Sequence, residues 1–176
     1  MKDLCELIDK YAKLSYVVRR LNARINKLPE FLFSVVNNCD YSDLGLDDDT
    51  VASLLNSTTG AELLEQYDKL YKIVDSMIVR IYDEIYHLSF EEKNELYDYL
   101  NERATILSQI VEVSQKSYDL LVARIEQAGK NQESDKIISL GKQATVEKSK
   151  VYELDSIKMT YVHLGCYMSS MVKRKK

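Results

Sequence analysis

Two histidines bound the acid–base and metal chemistry open to this chain, and each sits three residues from a side chain it could work with. His163 and Cys166 share one helical face, where an imidazole and a thiolate can hold a metal or pass a proton. A tetrahedral site needs two more ligands of that kind and the sequence has no second His/Cys pair, so ordinary packing is expected. Glu84 and His87 form Glu-x-x-His, the spacing that turns a carboxylate and an imidazole toward a di-iron centre in a four-helix bundle. That centre needs a second such pair, and the residue three before His163 is Thr160. A histidine at the negative end of a helix dipole is the expected reading. Asp40, Asp43, Asp47, Asp48 and Asp49 suggest calcium. Counting from Asp40, however, puts Leu44 at position five and Val51 at position twelve of an EF-hand loop, where oxygen ligands belong, so helix capping is expected. No GxxxxGK[ST], GxGxxG or GxSxG is present, and five scattered glycines could hardly build a phosphate loop. No catalytic residue, cofactor or metal is therefore expected.

The elements that must position any site are helical. One Pro and five Gly in 176 residues leave too little turn chemistry for the hairpins of an all-β fold. Leu4, Tyr11, Val18 and Ile25 recur every seven residues, interleaved with Leu7, Leu14, Leu21 and Leu28, which predicts a helix over 2–28 with a continuous packing seam. Its flanking positions carry no complementary charges, so the seam serves either the chain's own bundle or a partner, a homodimer being one form of the latter. Pro29 ends the helix and opens a short second one through residues 30–36; residues 37–59 read as an acidic loop carrying at most a short helix.

Thr59 and Glu62, then Ser89 and Glu92, have capping-box spacing, predicting helices over 60–88 and 89–128, the latter stopped by Gly129. The first presents three apolar rows, too wide for one partner, and should sit centrally. The near-absence of a linker at 88–89 predicts that these two helices turn back antiparallel. A last helix is expected over 134–172, with Gly141 and Gly165 admitting close neighbours. The fold class is all-α: an elongated antiparallel bundle or coiled coil of three to four long helices, forming one domain.

Charged residues that interrupt apolar rows need partners. Arg103 falls between Leu96 and Ile110, and the antiparallel turn places it against Asp75; Glu84 continues the row of Leu63, Leu70 and Met77. Glu147, with Ser114 and Ser117, forms a polar layer between the last two helices.

The net charge of −4 is unevenly laid out: residues 1–28 carry seven Lys/Arg against three Asp/Glu, residues 29–129 seven against twenty, and residues 130–176 ten against five. Basic terminal helices lying on acidic central ones is the economical reading. Arg19, Arg20, Arg24 and Lys27 form the basic patch best suited to nucleic acid, a weaker reading with no recognisable motif behind it. Three distant cysteines and the absence of an apolar leader or span point to reduced thiols in the cytoplasm. The expected function is protein–protein interaction through helix packing, as scaffold, adaptor, chaperone or assembly subunit, with Leu4, Leu7, Tyr11, Leu14, Val18, Leu21, Ile25 and Leu28 as partner-binding surface. Over residues 60–170 the long helices, with Glu91-Glu92-Lys93-Asn94-Glu95-Leu96 and Glu102-Arg103, resemble flagellar and other type III export chaperones. That resemblance implies a cytoplasmic chaperone; a component of a viral or other large assembly is a further alternative.

Overall fold

A computed structural model describes residues 1–26 and 60–172, without the side chains of 23–26 and 60–64. The expectations for Arg24, Ile25, Lys27 and Leu28, for the 29–59 region with its aspartates, and for the Thr59–Glu62 cap lie outside the described residues. Four helices and no strand are present among those described: α1 (Lys2–Asn26), α2 (Gly60–His87), α3 (Phe90–Lys130) and α4 (Ser134–Met168). The fold is all-α.

The start of α3 follows from its cap. The Ser89 hydroxyl accepts from the Glu92 N–H at 3.2 Å while the Glu92 carboxylate accepts from the Ser89 N–H at 2.9 Å, so two otherwise unpaired backbone donors are satisfied. At the other end the helix runs past Gly129. Gln132 adopts a left-handed φ of 57°, with its N–H on the Gly129 carbonyl and the Glu133 N–H on that of Ala128, the two bonds of a Schellman turn. The stop thus uses a glutamine where a glycine was expected. α3 spans ~60 Å at 1.5 Å per residue, and α4 returns antiparallel beside it, with Leu121 meeting Leu140 and Ala144 in a small core near the turn.

The helix pairs that pack along their length are α3 with α4, α1 with α2, and α1 with α4. The expected antiparallel packing of α2 on α3 is absent. α2 lies antiparallel on α1 instead, with Leu70 packed against Leu14, Val18 and Leu21, and Ile81 and Ile85 joining Leu4, Ile8 and Ala12. The same apolar row satisfies either partner, and α1 claimed it. α2 is consequently not central: Tyr71, Ile73 and Val79 remain exposed.

The main core lies where α1 crosses the 88–89 end of the α3–α4 hairpin, gathering Leu4, Ile8, Leu96, Leu100, Leu164 and Met168. The seam of α1 is therefore spent within the chain: Leu4, Leu14, Val18 and Leu21 are buried, Leu7 and Tyr11 half-buried. Gly141 has no neighbour within 4 Å of where a Cβ would sit and Gly165 meets only the Asn101 side chain at 3.8 Å, so neither marks a close helix approach.

Candidate functional site

Cys5, Asp9, Ala12 and Tyr16 follow one another at helical spacing on α1, and Asp9 alone among them is charged. Folding brings it to the point where three helices meet. Its Oδ1 accepts from the Tyr99 hydroxyl of α3 at 2.5 Å and the Tyr161 hydroxyl of α4 at 2.8 Å; its Oδ2 accepts from Arg103 Nη2 at 2.7 Å. Arg103 therefore does not meet Asp75, which stands exposed on α2, because α2 never folds back along α3. The Arg103 guanidinium also lies over the Tyr99 ring, 5.8 Å from its centroid.

Electrostatics follow from this geometry. Burial holds the Tyr161 phenol far above its usual range, aided by the Asp9 charge and hydrogen bond; burial and the Asp9 hydrogen bond do the same to Tyr99. Burial works against the charge on Arg103, but the hydrogen bond to Asp9 and the carboxylate's charge outweigh it and hold the guanidinium more firmly protonated than usual. All three groups thus hold their protons at neutral pH, and through them Asp9 ties α1 to α3 and α4.

Beyond that tie α1 stays with α4 and leaves α3. Arg19 fixes this course, donating to the Ser156 carbonyl and the Thr160 hydroxyl of α4, both at 3.3 Å. Arg20 lies over the Tyr16 ring at 5.9 Å and acts with Lys13 on Glu153, whose carboxyl is raised by burial and partly lowered by the two cations. Half of the expected basic patch, Arg19 and Arg20, thus reaches toward α4, with Arg19 still exposed.

The divergence opens a groove of about 740 Å³ walled by Lys10 and Lys13 of α1 and by Arg103, Ile106 and Ile110 of α3, with Leu154 and Ile157 of α4 as its floor. From Ile106 and Ile110 the same face of α3 continues at three- and four-residue steps through Val113, Ser117 and Leu120 to Arg124. On α4 it continues from Ile157 and Glu153 through Lys150 to Val146. Ile106 and Ile110 are each 40% exposed, Val113 67% and Leu120 62%.

The remaining sequence-predicted residues stay apart. Glu84 pairs with Arg80 of its own helix at 2.6 Å, and His163 and Cys166 stand exposed on α4. Ser114 is buried, while Glu147 has its Oε2 out of water without a hydrogen-bond partner. Among the described residues no three His, Cys, Asp or Glu side chains gather as a metal site, and no helix is long and apolar enough to cross a membrane. No protein-family model, curated protein or solved structure matches this chain.

Proposed function

We propose that this protein is a non-enzymatic helical interaction module that receives a partner helix on the open face of the α3–α4 hairpin. One observation carries the reading: Ile106, Ile110, Val113 and Leu120 form a single exposed apolar line along α3, starting in the groove where α1 departs. Near the 88–89 end the hairpin is covered by α1 and has a three-helix core; farther out, among the described residues, it is two helices with one small cluster of buried residues. A third amphipathic helix lying along that line would extend the existing core, which is how helix-in-groove recognition works. A cytoplasmic export-type chaperone and an assembly subunit are narrower forms of the same activity.

The test is the double substitution Val113→Ser with Leu120→Ser, both at exposed positions. Helical content and thermal midpoint should stay within error of wild type, while the partner captured by the wild-type chain from its native source is lost. Undiminished capture would refute the proposal.

A further inference from the structure

Resting on that reading, we infer that the occupant of the open face is an amphipathic helix with acidic flanks, and not a second copy of this chain. The charges around the face decide it. Three acids beside it are engaged: Asp9 by Arg103 and the two tyrosines, Glu6 by Lys2 at 3.8 Å, and Glu153 by the neighbouring Arg20 and Lys13. Glu147 keeps one oxygen out of water. Three cations differ. Lys10, Lys150 and Arg124 are exposed, and none makes an ion pair or hydrogen bond among the described residues.

Their spacing suits a helix. The Asp9–Arg103 bond puts Lys10 level with about residue 103 of α3, and the meeting of Leu121 with Leu140 and Ala144 puts Lys150 opposite about residue 113. Arg124 lies about eleven residues farther along. The cations therefore recur roughly every eleven residues, ~16 Å along the hairpin, from three different helices, so an occupant helix meets them with acids about eleven residues apart on the flanks that face those helices. Two copies packed face to face would instead bring these cations toward one another, which opposes association.

The experiment uses the full chain and two synthetic amphipathic peptides with the same leucine stripe, one with Glu and one with Lys at flanking positions eleven residues apart, followed by fluorescence anisotropy. The Glu peptide should bind about tenfold more tightly at low salt, the sum expected from three exposed pairs, and the difference should shrink as salt rises. Lys150→Glu with Arg124→Glu should reverse the preference. Equal binding, preference for the Lys peptide, an unchanged preference in the charge-reversed variant, or no binding would overturn the inference, as would self-association that occludes the face. The Val113→Ser, Leu120→Ser variant separates the two claims. If both peptides bind equally and both lose binding in it, the apolar face stands and the acidic partner falls; if binding is indifferent to it, the face falls too.

Discussion

Asp9→Ala removes one side chain and strands three. The Tyr161 hydroxyl loses its acceptor in a residue only 3% exposed, so its full desolvation cost of about 2 kcal/mol is felt. Tyr99 is half-buried and can turn partly to water, which limits its loss to about 0.5–1 kcal/mol. The Arg103 side chain is 42% exposed and rehydrates, so the lost ion pair adds no more than about 0.5 kcal/mol. The expected total is about 3 kcal/mol, a large fraction of the stability of a chain this size. Urea unfolding followed by circular dichroism should show a lower midpoint at an unchanged slope. A double-mutant cycle of Asp9→Ala with Tyr161→Phe should give coupling above about 1 kcal/mol, while Asp75→Ala with Arg103→Met should be additive. A loss under about 1 kcal/mol for Asp9→Ala, or coupling at Asp75, would refute the hub.

Buried phenols set an alkaline limit. Native Tyr16 is pushed up to about 12 by burial, and Tyr99 and Tyr161 are raised further, against an ordinary value of 10.0. The unfolded chain releases these protons first, so stability is complete below about pH 10 and falls as pH rises toward the native values; tyrosinate absorbance and circular dichroism should change together above that point. Ser89→Ala should cost about 1 kcal/mol by removing half of the capping box, measured in urea. Gln132→Gly should raise stability by about 1 kcal/mol by relieving a left-handed φ, and a fall would show that the side chain does more than pass through the turn. Gly141→Ala, at a mid-helix site with open space, should also stabilise by about 1 kcal/mol in a thermal melt.

The sequence pattern located elements far better than it located their partners. Ser89 and Glu92 mark the start of α3 because a capping box is chemistry local to four residues. The rows on α2 announce a packing face without naming what covers it. Ile81 and Ile85 would fit α3 as well as α1, and a short link at 88–89 suits a reversal as well as the observed course, which the packing on α1 selects. Arg103 is legible as a charge in need of a partner, but its partner depends on which helix packs there, and only an α2–α3 reversal would bring it to Asp75. The signal for Asp9 lies in the row Cys5, Asp9, Ala12 and Tyr16, where one carboxylate interrupts residues small or apolar enough to face a core, beside a heptad that is unbroken. The open face could not be read from periodicity, since Ile106, Ile110, Val113 and Leu120 have the same spacing whether buried or exposed.

The central claim is that the outer half of the α3–α4 hairpin is a seat for a partner helix. A photo-crosslinking side chain placed at Leu120 and, in a separate variant, at Asp119 on the neighbouring face tests it most directly in the native source. The account predicts a discrete protein adduct from position 120 and none from 119. Equal labelling from both positions, or no adduct from 120 while the chain remains folded and partner-bound, would contradict it.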